Sequence, residues 1–196
     1  MKVIGITGGV GAGKSRILSI LKTDYQAEII QADEVAKELE EPGQEGYQAL
    51  VELLGTHILA EDGSIDRASL ASIIFQDEEA LQKVNAVIHP LTWNEIKRRI
   101  SQSTAPIVAV EAALFDENSK RFCQELWFVD TSEEHRILRL MGNRGYSRQK
   151  CLDIMANQKD RASFLELADV VIDNNGSVEA VQEQIAKILG TIGNDR

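Results

Sequence analysis

The sequence is poor in the residues that mark a secreted or membrane-bound protein. It has two cysteines in 196 residues, Cys123 and Cys151, far apart and in no CxxC pair. That pattern excludes a disulfide scaffold and gives no support to a zinc site, so both are read as reduced thiols. Only three prolines occur, and no low-complexity tract, repeat or linker stands out. No segment approaches the roughly 18 consecutive apolar residues of a membrane span. The opening "MKVIGITGG" has too short an apolar run, broken by glycine, to serve as a signal peptide. A cytoplasmic location, away from any membrane, is the expectation. Basic residues are also short, 21 Lys and Arg against 31 Asp and Glu, for a formal net charge of −10. A nucleic-acid binder needs a basic surface to displace counterions, so that class is set aside. A small anionic ligand is not, because an acidic chain can still build a local cationic pocket.

What the chain does have is alternation of short apolar runs with amphipathic stretches, the signature of an α/β fold with a parallel sheet. Residues 2–7, 27–32, 106–112, 125–130 and 169–174 read as strands, short and rich in Val or Ile as strands buried on both faces are. Stretches 14–23, 132–142, 147–160 and 177–189 read as helices, the last capped by Ser177, and the tail "GTIGNDR" reads as frayed. Residues 34–101 do not fit one strand–helix unit and read as a helical insertion between the second and third strands, with core segments 1–33 and 102–196 on either side. Within the insertion Asp66 and Asp77 suit helix N-caps, and Pro90 predicts a break with a fresh helix over about 90–101. Such an insertion projects over the carboxyl edge of the sheet, where an acceptor substrate would dock.

The densest signal is "GGVGAGKS" at 8–15, which places Gly8, Gly13, Lys14 and Ser15 in the fixed positions of G-x-x-x-x-G-K-[ST]. It follows a predicted strand and opens a predicted helix, the context a phosphate-binding P-loop requires. Residues lacking a Cβ let backbone N–H groups approach phosphate oxygens, and the helix N-terminus adds partial positive charge. Lys14 can reach the β- and γ-phosphates, and the Ser15 hydroxyl can ligate Mg²⁺. A P-loop fixes the donor without naming the acceptor. No [NT]-K-x-D base-reading segment of a switch GTPase is present, and Glu111, Asp116 and Asp130 are each only candidates for a Mg²⁺ carboxylate.

Asp33 ends the second predicted strand in "IIQADEVAK". It suits a general base toward an attacking hydroxyl, and equally an N-cap for a helix starting at Glu34; the two roles are compatible. Arg136, Arg139, Arg144 and Arg148, with Gly142 and Gly145, form a local cationic excess. This is either a mobile lid over about 136–150 that closes on the γ-phosphoryl, or a solvated helix face paired with acids. His89, before Pro90, suits a structural role better than a catalytic one. His57 and His135 have no supporting context, and Trp93, Phe75, Trp127 and Phe128 read as core or pocket wall.

Taken in order, "IGITGGVGAGKS", "ADE" at 32–34, "EEPG" at 40–43, "DGSIDRASLASIIF" at 62–75, "IHPL" at 88–91, Gln158 and "ADVVIDNNGS" at 168–177 resemble the dephospho-coenzyme A kinase family over roughly residues 3–190. The resemblance implies transfer of the γ-phosphoryl of ATP to the ribose 3′-hydroxyl of dephospho-coenzyme A, the last step of coenzyme A synthesis. It implies a five-stranded parallel P-loop kinase sheet flanked by helices, with a helical substrate-binding insertion and a small helical lid. The expected cofactor is Mg²⁺, the expected small-molecule partners are ATP and dephospho-coenzyme A, and the expected state is a monomer or weak homo-oligomer. By position, Gly8, Gly9, Gly11, Ala12, Gly13, Lys14, Ser15 and the backbone of Arg16 bind ATP phosphates. Asp33 is the general base, Arg139 the lid arginine that meets the transferred phosphoryl, and His89 lies near the acceptor; Lys14, which neutralises charge, and Arg144, which closes with Arg139, complete the expected catalytic set. The chain departs from the family's usual residues at Arg16, Gln31, Asn143, Phe164 and "AALFD" over 112–116. Rival readings are a nucleoside or nucleotide kinase, or a non-catalytic nucleotide sensor whose insertion binds a protein.

Overall fold

The computed structural model describes residues 1–191. It divides into two compact units, Met1–Ile29 with the chain from Ser103 onward, and Ile30–Gln102.

The first unit is built on β1 (Lys2–Thr7), α1 (Lys14–Tyr25), the start of β2 (Glu28–Gln31), β3 (Ile107–Glu111) and β4 (Glu125–Asp130). The later elements are α7 (Glu133–Arg144), α8 (Arg148–Ala156), α9 (Arg161–Leu167), β5 (Val170–Asp173) and α10 (Val178–Thr191). A short helix, α6 (Glu117–Lys120), precedes β4. The strands form one five-stranded sheet in the order β2-β3-β1-β4-β5, and β1 pairs in parallel with both β3 and β4. The three central strands are buried almost without interruption, whereas the edge strands expose residues, Glu28 and Gln31 in β2 and Val171 and Asp173 in β5. That contrast is what helices on both faces of a parallel sheet impose. Ile17, Leu18, Ile20 and Leu21 of α1 and Val181 and Ile185 of α10 meet Ile4, Ile6, Trp127, Val129 and Ile172 of the sheet. Burial of each such side chain contributes about 1.5–3 kcal/mol.

Two helix boundaries differ from expectation. The stretch 147–160 is not one helix: α8 ends at Ala156, and α9 starts afresh after Asp160, whose Oδ1 accepts from Ser163 N at 2.9 Å. Aspartate at that place competes with helix continuation by capping a new one. Gly190 and Thr191 remain in α10, and the rest of the tail expected to fray lies outside the described residues.

The second unit contains α2 (Ala32–Leu39), α3 (Glu45–Leu54), a 3₁₀ turn at Thr56–Ile58, α4 (Arg67–Gln76) and α5 (Glu78–Gln102). Leu50, Ile58, Ile65, Leu70, Val84 and Ile88 form its core. Asp66 caps α4 through Ala68 N at 2.9 Å, and Asp77 caps α5 through Glu79 N at 2.9 Å, as their positions predict. Phe75 is not core: it is 87% exposed. Five residues past buried Leu70, it has rotated to the opposite side of α4.

Pro90 does not break the chain into two helices, because α5 runs through it. The buried stripe Ala80, Val84, Ile88, Thr92 and Ile96 recurs every fourth residue across the proline, so packing holds one helix on both sides. Pro90 has no N–H for the carbonyl of Ala86, but both residues are exposed and water can take that bond. Replacing Pro90 with alanine restores the donor without touching the stripe. Pro90→Ala is expected to raise the unfolding free energy by about 1–3 kcal/mol, read as a higher urea midpoint; an unchanged midpoint would show that the missing donor costs this helix nothing.

Candidate active site

The loop between β1 and α1 is shaped by its carbonyls. Lys14 Nζ donates to Gly8 O at 2.9 Å, and Arg136 Nε donates to Val10 O at 2.8 Å. Ala12 O accepts three bonds, from Thr131 Oγ1 at 2.8 Å, Asn174 Nδ2 at 2.7 Å and Arg139 Nη1 at 3.0 Å. In a planar trans peptide the carbonyl and the following N–H point opposite ways. Holding these three carbonyls therefore turns the N–H groups of Gly9, Gly11 and Gly13 away from the side chains. Gly13, the N-cap of α1, sits at φ 89° and offers no side chain to the first helical amides. A ring of backbone donors and an uncapped helix end is an anion site. Gly11 is confined as well as strained: at φ +75° a Cβ would lie 2.9 Å from Arg136 O.

The loop is also anchored at its tip. Val10 N donates to Gln158 Oε1 at 3.0 Å, and Arg136 Nη2 donates to the same oxygen at 2.8 Å. The Val10 side chain packs with Ile137, Leu140 and Cys151 of α7 and α8. Lys14 lies 3.5 Å from Glu111, a largely buried carboxylate at the end of β3. Of the other acids weighed from sequence, Asp116 caps α6 through Ser119 N at 2.7 Å, and Asp130 accepts a forked pair from Arg161 at 2.6–3.1 Å.

Beside the loop, within this unit, lies a cavity of about 780 Å³. Phe128, Phe164, Leu152 and Met155 form its apolar wall, and Gly9, Arg136, Gln158 and Arg161 are among its polar lining. Phe128 and Phe164 stack with ring centroids 5.0 Å apart.

A profile described as dephospho-CoA kinase matches residues 2–180. The chain belongs to the dephospho-CoA kinase family. It is 38% identical over 193 residues to a dephospho-CoA kinase of Carboxydothermus hydrogenoformans, covering 96% of this chain and 93% of that one. A crystal structure from Thermus thermophilus superposes with TM-score 0.82 at 26% identity, covering 97% of each chain. A dephospho-CoA kinase structure from Campylobacter jejuni shares the fold, with TM-score 0.69 at 22% identity and 98% coverage of both.

Within the family frame, the predicted residues fall into distinct groups. Gly8, Gly9, Gly11, Ala12, Gly13, Lys14, Ser15 and Arg16 come together as the loop and first turn of α1, with Ser15 exposed. The Arg16 side chain turns to Asn174 Oδ1 at 3.0 Å and Gly176 O at 3.3 Å. Arg139 reaches the loop through Ala12 O and also donates to Asn174 O at 2.7 Å. Arg144, the last residue of α7, is exposed and takes no part in those bonds, and Arg148 forms a surface pair with Glu134. Burial holds Arg136 below its usual basicity; burial and the nearby charge of Arg16 do the same to Arg139. Asp33 and His89 belong to the second unit, and both are exposed. Asp33 is not an N-cap: Gln31 holds that position, and Asp33 lies inside the first turn of α2.

Sequence reasoning did not single out Thr131, Asn174 or Arg136 as P-loop partners, and Gln158 entered only as part of a motif. The one available signal was "DNNG", whose first three residues do separate jobs. Asp173 closes the turn by accepting from Asn175 N at 3.0 Å, Asn174 clamps Ala12, and Asn175 Oδ1 accepts from Ser132 N at 2.8 Å. Asn174 is fully buried with both ends of its amide engaged. Asn174→Ala is expected to lower stability by about 1–3 kcal/mol, seen as a lower urea midpoint, and to weaken ATP binding measured by calorimetry.

Proposed function

We propose that this chain transfers the γ-phosphoryl of ATP to the ribose 3′-hydroxyl of dephospho-coenzyme A, giving coenzyme A. The observation that carries the donor half is the loop at 8–13, whose clamped carbonyls leave its amides for a polyphosphate. Membership of the dephospho-CoA kinase family carries the acceptor half. Transfer is in line, and the protein's part is positioning and charge stabilisation.

Loop amides and the α1 N-terminus take the phosphate chain. Lys14 exchanges Gly8 O for phosphate oxygens, with Glu111 3.5 Å from the same ammonium. Among the described residues no three His, Cys, Asp or Glu side chains form a metal cage. The donor set suits Mg²⁺, which binds through few protein oxygens together with substrate phosphates. Ser15 would hold it through its hydroxyl, and the ion supplies neutralisation of the β- and γ-oxygens when bound. Asp33, free of any capping duty, accepts the proton of the 3′-hydroxyl as that oxygen attacks phosphorus. The helical segment 34–101, with His89, receives the acceptor, and residues 136–150 serve as the lid, where Arg139 and Arg144 meet developing negative charge. No described helix is long and apolar enough to cross a membrane. We place the enzyme in the cytoplasm as a monomer or weak homo-oligomer.

Product analysis with Mg-ATP tests the reading, with dephospho-coenzyme A offered beside adenosine, AMP and phosphopantetheine. Coenzyme A is expected from dephospho-coenzyme A alone; product from another acceptor would retain the kinase and reject this acceptor, and ATP binding without any product would favour a sensor. Asp33→Asn is expected to lower kcat by roughly 10²–10⁴-fold with ATP affinity unchanged, and a kcat near wild type would remove Asp33 as the base.

A further inference from the structure

We infer that Arg16 is a donor-binding residue whose guanidinium meets the α-phosphate, the one adjoining the nucleoside. The inference deepens the kinase reading above and rests on its donor half. The chain departs here from its family's usual residue, so the contact belongs to this protein rather than to the family at large.

Position comes first. Arg16 lies in the first turn of α1, two residues beyond Lys14, at a helix end that has no side-chain cap. Arg136 and Arg139 set their heads on loop carbonyls, Val10 O and Ala12 O, whereas Arg16 touches none. It reaches instead to the turn after β5, with Nη1 3.0 Å from Asn174 Oδ1 and 3.3 Å from Gly176 O. Lys14 reaches the other way, to Gly8 O after β1 and to within 3.5 Å of Glu111 at the end of β3. In the sheet β3 and β5 lie on opposite sides of β1, so the two cations flank the helix terminus from opposite sides. Lys14 takes the β- and γ-phosphates. The phosphate chain therefore runs from there toward Arg16 and brings the α-phosphate to it.

The guanidinium has donors to spare. Both of its hydrogen bonds use Nη1 and end on neutral oxygens. Among the described residues Nε and Nη2 have no hydrogen bond, and Arg16 has no ion pair. Arginine presents its five N–H donors in a planar fork, which matches two oxygens of one phosphate. Glu179, exposed at the start of α10, feels the charge of Arg16 without pairing with it. A second guanidinium stands close by, because Arg139 Nη2 donates to the backbone oxygen of the same Asn174 at 2.7 Å. After burial, the charge of Arg16 is what lowers the basicity of Arg139. Two like charges gathered on one residue, with no carboxylate paired to either among the described residues, are relieved when an anion arrives.

A merely structural Arg16 would fasten the turn after β5, a task that a neutral donor can share, whereas a phosphate contact needs the charge. The test therefore sets Arg16→Gln, which keeps an N–H donor, beside Arg16→Lys, which keeps a cation. Calorimetry with Mg-ADP reads the affinity. ADP bearing sulfur on the α-phosphate reads the contact itself, because its two diastereomers turn either sulfur or oxygen toward the guanidinium. Arg16→Gln is expected to lower Mg-ADP affinity by roughly tenfold and to shrink the wild-type preference between the diastereomers. Arg16→Lys is expected to recover most of the affinity. An affinity loss below about threefold in Arg16→Gln, an Arg16→Lys no tighter than Arg16→Gln, or a diastereomer preference unchanged by Arg16→Gln overturns the inference. Should Arg16→Gln fail to fold, Arg16→Met, as long and uncharged, takes its place under the same limits. Wild-type protein that binds no Mg-ADP fails the donor half of the kinase reading, a result separate from these.

Discussion

The carbonyl oxygen of Ala12 is the point on which the donor site depends. Three donors converge on it from the end of β4, from α7 and from the turn after β5. Each bond alone contributes on the order of 1 kcal/mol, and two of the donors, Thr131 and Asn174, are buried side chains that cannot relax into water. A peptide plane held by three directions has no freedom to rotate. The amide that follows it, at the N-cap of α1, is therefore oriented before any ligand arrives. Preorganised donors of this kind need no reordering when charge appears, which is how a site becomes complementary to a transferring phosphoryl.

A second anchor, at Val10, differs in character. There the loop tip is held through its backbone by Arg136 and Gln158 and through its side chain by the α7–α8 cluster. The helix end of the loop is thus tied to the end of β4, to α7 and to the turn after β5, and its tip to α7, α8 and Gln158. The forked Asp130–Arg161 pair extends the same linkage from β4 to α9.

Much of this was legible in the residues, and what was not shares one cause. The P-loop, the five strands and the caps at Asp66 and Asp77 are local patterns, settled by neighbours within a few positions. Pro90 misled because a single proline is a local signal, while the stripe from Ala80 to Ile96 that overrides it acts by tertiary packing. Asp160 was hidden inside an amphipathic stretch, although its Ser163 partner was within reach of a capping argument. The arginines were the least legible. Periodicity places Arg136 and Arg139 near one another on α7, but which carbonyl each reaches is decided by a segment more than a hundred residues earlier. Asp33 was read as a possible cap because it follows a strand, and the helix simply begins two residues sooner.

The clamp on Ala12 has a consequence for the order in which the molecule is made. Its three donors lie 119, 127 and 162 positions further along the chain. Synthesis runs from the N-terminus, so the glycine loop leaves the ribosome well before the residues that shape it. Until Asn174 has emerged and β5 has docked, the nascent chain carries the phosphate-binding residues without the geometry that makes them bind. Nucleotide competence is in this sense conferred on the loop by residues made long after it.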